Sequence, residues 1–127
     1  MITVKDLVKN YKSGETTVHA LRGIDIKIED GEFLSIAGPS GSGKTTLLNL
    51  IGCLDSADKG EISIDGERTN GKDKKELALL RRHKIGFIFQ TFNLIPVLTA
   101  YENVSFALSL LNLSEEEVYD QTMEILD

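Results

Sequence analysis

Eight consecutive residues, Gly38-Pro39-Ser40-Gly41-Ser42-Gly43-Lys44-Thr45, have the types and spacing to bind phosphate. They fit the pattern G-x-x-x-x-G-K-[ST]. Phosphate oxygens need several donors converging on one point. The glycines let the backbone curl so that successive N–H groups face inward. A helix opening directly behind the loop adds its positive N-terminal end. Lys44 supplies a compact charge for the β- and γ-phosphates, and the Thr45 hydroxyl suits Mg²⁺ bridged to phosphate oxygens. Gly38, Ser40, Gly41, Ser42, Gly43, Lys44, Thr45 and the neighbouring Thr46 are therefore the candidate phosphate ligands. Kinases, GTPases, helicases and transport ATPases all use such a loop, so it does not choose among them.

The loop works only if a strand delivers it and a helix follows it. Phe33 to Ala37 is short and mostly apolar, which predicts a buried strand. Thr45 to Leu54 predicts a helix, with Leu47, Leu50, Ile51 and Leu54 on its apolar face. Upstream, Ile2 to Leu7 reads as a strand, Lys12 to Glu15 holds a Ser-Gly turn signal, and Ile24, Ile26 and Ile28 alternate with Asp25 and Lys27 as in a half-buried strand. Downstream, Glu61 to Ile64 predicts a strand closed by Asp65-Gly66. Asp73 to His83 predicts a charged helix, and Ile85 to Phe89 a β-branched and aromatic strand. Tyr101 to Leu111 and Ser114 to Asp127 predict two further helices, the last with the capping-box spacing of Ser114 and Glu117 and a shared face of Val118, Thr122, Ile125 and Leu126. The order predicts an α/β fold of the P-loop NTPase type: a β-rich N-terminal part, the loop core and the start of a helical subdomain.

The chain has 127 residues, enough for one domain and not two. Apolar residues make up 41%, which supports a packed core. A net charge of −6 argues against a nucleic-acid binder, so none is expected as partner. Cys53 is the single cysteine and has no intrachain partner. No apolar run approaches the ~18 residues of a membrane span, so any membrane role is expected to go through a partner.

The flanking residues narrow the choice. Tyr11 and Val18-His19-Ala20-Leu21-Arg22-Gly23-Ile24 precede the loop. Gly60-Glu61-Ile62-Ser63-Ile64-Asp65-Gly66 and Ile85-Gly86-Phe87-Ile88-Phe89-Gln90 follow it. Then come Phe92-Asn93-Leu94-Ile95-Pro96 and Leu98-Thr99-Ala100-Tyr101-Glu102-Asn103-Val104. This order closely resembles ABC transporter ATPase subunits, and within them the lipoprotein-release and macrolide-export group. The resemblance implies that residues 1–127 are the N-terminal part of one ABC-type ATP-binding domain with ATP and Mg²⁺ as cofactors. It implies adenine stacking on Tyr11, with Val18 also at the nucleotide. It implies that Gln90 is the glutamine that contacts Mg²⁺ and the attacking water, so that Lys44 and Gln90 carry the catalytic roles. It further implies a membrane permease docked on Gln90 to Tyr101, a second ATPase subunit as dimer partner, and a cytoplasmic location on the inner face of the membrane.

Other residues invite functional readings that the sequence does not favour. Asp65 precedes Gln90, the wrong order for a Walker B aspartate, and reads as a turn residue. His19 and His83 also come too early for the family's switch histidine. Cys53 reads as a buried, inert thiol. Lys72, Lys74, Lys75, Arg81, Arg82 and Lys84 read as a solvated helix face, and Glu115, Glu116 and Glu117 as helix-starting carboxylates. No LSGGQ-like signature occurs, and no four-apolar run ends in Asp-Glu. The expectation is therefore a fragment of a longer ATPase, which by itself binds nucleotide and does not complete hydrolysis.

Overall fold

Two long strands organise the first half of the chain. β1 (Ile2–Ser13) and β2 (Thr16–Ile28) form an antiparallel hairpin closed at Gly14-Glu15, the turn the sequence signals. Both extend past the sequence expectation, because pairing with each other satisfies the backbone of polar stretches that have no apolar alternation of their own. β3 (Lys59–Ile64) adds to the other edge of β1, and the short β4 (Glu67–Arg68) pairs with β3, giving the antiparallel order β2-β1-β3-β4. At the β1–β3 crossing, Gly60 has φ +87°, and the carbonyls of Lys5 and Asp6 lie where its Cβ would be, so no side chain fits there.

The computed structural model describes residues 1–127 and divides into two units, Met1–Gly86 and Phe87–Asp127. In the first, α1 (Lys44–Ile51) and α2 (Lys74–Lys84) join the sheet in one core. That core holds Val4, Leu7, Leu21, Leu47, Leu50, Cys53, Ile62, Ile64, Leu77 and Leu80. α1 is shorter than expected: Leu47 and Leu50 are buried, whereas Leu54 lies past its end and is exposed. The basic cluster around α2 is only partly free in solvent. Arg81 donates to the Cys53 carbonyl at 2.7 Å, Lys72 pairs with Glu67 and Lys84 with Asp65.

The second unit is a helical hairpin, α3 (Ala100–Ser109) and α4 (Glu115–Leu126). Each helix opens with a capping box, Thr99 with Glu102 and Ser114 with Glu117. Tyr101 and Tyr119 pair across the hairpin with ring centroids 6.2 Å apart. Thr122 is fully buried and Val118 half-buried, but Ile125 and Leu126 are exposed, so the expected shared face is covered only at its start.

Two expected strands do not form. Phe33 to Ala37 and Ile85 to Phe89 lie outside every strand, and the four-stranded sheet includes neither. A buried strand needs neighbours for its N–H and C=O groups on both edges, and neither segment has a paired neighbour in this sheet. Phe33 is 96% and Ile88 102% exposed; only Ile36 and Ile85 reach the core. The rings of Phe87 and Phe89 instead stack on each other, 5.6 Å between centroids.

Candidate functional site

Of the two elements the sequence demands around the glycine-rich loop, the helix behind it forms and the delivering strand, Phe33 to Ala37, does not. Gly43 sits immediately before α1 with φ 90° and ψ 2°, a left-handed conformation natural only to glycine. A Cβ there would lie 2.6 Å from the Ala20 carbonyl and 3.0 Å from the Leu21 side chain. The loop's end is thus pressed against β2. Ser42 N–H donates to the Pro39 carbonyl, folding the loop back on itself. Leu47 N–H bonds the Gly43 carbonyl at 2.9 Å, and no side chain caps the helix. By helix geometry the N–H groups of Lys44, Thr45 and Thr46 precede that first bond and project from the helix start. The Lys44 ammonium lies over the same loop, donating to the carbonyls of Gly38 at 2.8 Å and Pro39 at 2.7 Å, with Ser42 Oγ at 3.3 Å. Positive charge, uncapped N–H groups and the helix dipole converge at one place, an arrangement suited to a polyanion.

A divalent cation fits this donor set in a restricted way. No group of three or more His, Cys, Asp or Glu residues could hold a metal. Mg²⁺ does not require such a cage, since it is commonly held by substrate phosphates and few protein oxygens. The Thr45 hydroxyl at the exposed start of α1 can supply one such oxygen.

The hairpin brings Tyr11 and Val18 together. Tyr11 on β1 lies directly opposite Val18 on β2, and both side chains are exposed. The Tyr11 hydroxyl donates to Asp55 Oδ2 at 2.8 Å, and Lys9 Nζ lies 5.1 Å from the ring centroid. Burial and the Asp55 hydrogen bond push the phenol above its ordinary value, while Thr46 in the first turn of α1, and Lys9, pull the other way. Burial alone would raise the Asp55 carboxyl too; hydrogen bonds from Lys9, Tyr11 and the Ser56 N–H outweigh it and hold the group below its usual range. Lys9 and Asp55 carry no motif and escape a reading of the sequence. The one available signal is that Lys9 and Tyr11, two apart on a strand, share a face.

Gln90 belongs to the second unit and is exposed in the loop that opens it. Farther along that loop, Asn103 pins the backbone: its Oδ1 accepts from the Ile95 N–H at 2.7 Å, and its Nδ2 donates to the carbonyls of Leu98 and Thr99. Phe92, Leu94 and Val97 are left exposed at 93%, 62% and 88%. The remaining residues behave as plain structure. Asp65 is a turn residue bonded to the Met1 amine and Lys84, and exposed His19 meets Asn10. Burial raises the pKa of the Cys53 thiol, as expected of an inert group.

Residues 21–127 match the family described as ABC transporter. The chain is 56% identical over 108 residues to an uncharacterized ABC transporter ATP-binding protein, MJ0796, of Methanocaldococcus jannaschii, covering 85% of this chain and 46% of that protein. It is 45% identical over 126 residues to the macrolide export ATP-binding/permease protein MacB of Mannheimia succiniciproducens, covering 99% of this chain and 20% of the relative. Among solved structures, the dimeric post-hydrolysis state of the MJ0796 cassette bound to ADP and Pi matches with a TM-score of 0.89 at 50% identity, covering 98% of this chain and 55% of that one. The chain spans about half the length of MJ0796.

Proposed function

Because the chain belongs to the ABC transporter family, we propose that both units are parts of one ATP-binding domain that binds Mg-ATP and, in a complete subunit, hydrolyses it to drive a transporter. The observation that carries this reading is the convergence of the Lys44 ammonium and the uncapped start of α1 on the Gly38–Thr45 loop. Ser40 to Thr46 bind the phosphates through backbone N–H groups, and Lys44 exchanges its carbonyl partners for phosphate oxygens. Thr45 would hold Mg²⁺, which would neutralise charge on the phosphates. The adenine stacks on Tyr11 beside Val18; a flat ring offers contact area at low entropic cost. In a complete subunit, the family resemblance implies that Gln90 would contact Mg²⁺ and orient the attacking water. Its neutral amide takes up a proton poorly, so these 127 residues bind nucleotide without completing turnover.

The same reading assigns the exposed apolar residues of the second unit to a membrane permease. Phe92, Leu94 and Ile95 are exposed and Leu98 is half-buried in the loop before α3, and apolar side chains grouped on a loop favour a covering partner. A second ATPase subunit completes the dimer, and the domain sits on the cytoplasmic face of the membrane, held through the permease. No helix here is long and apolar enough to cross a membrane. Titration calorimetry with Mg-ATP tests the central assignment: binding is expected in the chain and strongly weakened in Lys44→Ala. Equal affinity in both would remove the loop from the nucleotide site. Crosslinks from cysteines at positions 92 to 98 of a complete subunit should reach the permease; crosslinks found only elsewhere would move the docking surface.

A further inference from the structure

We propose that Lys9 and Asp55 are positioning residues for the base end of the nucleotide, fixing Tyr11 at a set distance from the phosphate loop through the segment that follows α1. The inference rests on the adenine reading of Tyr11 and adds two residues to it.

The geometry is a strap from α1 to β1. Leu54 and Asp55 N–H groups both bond the Asn49 carbonyl, so the strap is anchored on the helix that the phosphate loop opens. Asp55 then uses its two oxygens separately: Oδ1 accepts from Lys9 Nζ at 2.9 Å and Oδ2 from the Tyr11 hydroxyl at 2.8 Å. Lys9 also donates to the Ser56 carbonyl at 2.6 Å. Beyond it, Asp58 accepts from the Asn10 N–H at 2.7 Å and donates its own N–H to the Val8 carbonyl at 3.0 Å. Every residue of β1 from Val8 to Tyr11 is thereby bonded to the segment Asp55 to Asp58 that follows α1.

Lys9 is only 8% exposed. A lysine buried to that degree is retained only with its charge matched and its donors used. Here its ammonium is satisfied by Asp55 and Ser56 while lying over the Tyr11 ring, 5.1 Å from the centroid. Tyr11 itself stays 38% exposed. The ring is thus fixed by its hydroxyl and backed by a cation, and it keeps surface free for a base. Because one carboxylate serves both partners, losing Asp55 removes the acceptor of the ring's hydroxyl, and losing Lys9 removes the cation that holds that carboxylate and backs the ring. A stacking platform that must be ordered on binding gives weaker binding than one ordered beforehand.

The experiment compares two probes in the presence of Mg²⁺ by calorimetry: ATP, and inorganic tripolyphosphate, which has phosphates and no base. Tripolyphosphate also reports whether the phosphate loop remains folded in each variant. Lys9→Met and Asp55→Asn are expected to weaken ATP on the order of tenfold while leaving tripolyphosphate within about twofold. Tyr11→Phe, which keeps the ring and drops the hydroxyl's bond to Asp55 together with its interaction with Thr46, should lower ATP selectively by a smaller factor, and it decides the matter if the ion-pair variants unfold. Lys9→Arg should restore most of the ATP affinity lost in Lys9→Met. Parallel loss of both probes in Lys9→Met and Asp55→Asn, with Tyr11→Phe neutral, would make the strap merely structural and overturn the inference. Selective loss of ATP in Tyr11→Ala alone would overturn it too, yet leave the adenine reading standing. If Tyr11→Ala does not change ATP affinity, the adenine reading itself fails, and this inference with it.

Discussion

At the residue scale the site depends on one charge and one backbone conformation. Lys44 donates through its ammonium to the loop carbonyls of Gly38 and Pro39. Its replacement by alanine is expected to cost on the order of 2–5 kcal/mol of Mg-ATP binding, because the phosphates lose a close charge partner; calorimetry reads this directly. Gly43 is constrained differently. Its φ is 90°, and a methyl group on its Cα would sit 2.6 Å from the Ala20 carbonyl, so Gly43→Ala meets both backbone strain and a clash with β2. The substitution is expected to destabilise the first unit by roughly 1–3 kcal/mol, read as a lower midpoint in urea. An unchanged midpoint would mean that the loop end is not pressed against β2.

At the element scale the helices of the second unit depend on their caps. The Thr99 N–H and hydroxyl donate to Glu102 at 2.7 and 2.8 Å, and those of Ser114 donate to Glu117 at 2.8 Å. In each case the backbone hydrogen bond, then the hydroxyl, holds the glutamate below its ordinary value of 4.5. A depressed folded-state value means that the ionised carboxylate favours the folded helix. This contribution is complete above the ordinary value and is lost as pH falls through the depressed one. Helical circular dichroism should hold from neutral pH to about pH 5 and then decline, with a shallower decline in the double variant Glu102→Gln, Glu117→Gln. Identical acid profiles would show that these caps do not stabilise α3 and α4. Removing one cap outright, Thr99→Ala, should cost about 1 kcal/mol of helix stability, seen as faster amide exchange in the first turn of α3.

For the whole molecule, two behaviours follow from what the chain carries. The loop is proposed to position phosphates, but these residues supply no carboxylate after an apolar strand to act as base. Phosphate release from Mg-ATP by the purified chain should therefore stay far below the roughly 1–1000 s⁻¹ typical of enzymes. Turnover in that range, lost in Lys44→Ala, would show that the chain completes the reaction by another route. Large apolar side chains also stand in solvent, with Phe33, Ile88, Phe92 and Val97 each 88% exposed or more. Concentration-dependent self-association in sedimentation velocity is expected, reduced by Phe33→Ser with Ile88→Ser.

The sequence by itself marked the glycine-rich loop as a candidate phosphate site, because that pattern is carried by eight adjacent residues. It also determined the helix start at Ser114, since a capping box spans four residues and is written locally; the boxes at Asp73 and Thr99 emerged only with the structure. The inward Leu47 and Leu50 of α1 were legible for the same reason: periodicity is local. Only the tertiary structure decided which apolar runs became strands. Phe33 to Ala37 and Ile85 to Phe89 have strand composition, but a strand is completed by hydrogen bonds to another segment, and β1 and β2 found each other while these two runs did not. Tertiary structure likewise placed Val18 opposite Tyr11, through a hairpin register that no single-strand pattern specifies. Pairing of Lys9 and Asp55, 46 residues apart, is of the same kind. It exists because the chain after α1 folds back onto β1, and a buried ammonium must meet its counter-charge wherever the fold brings one.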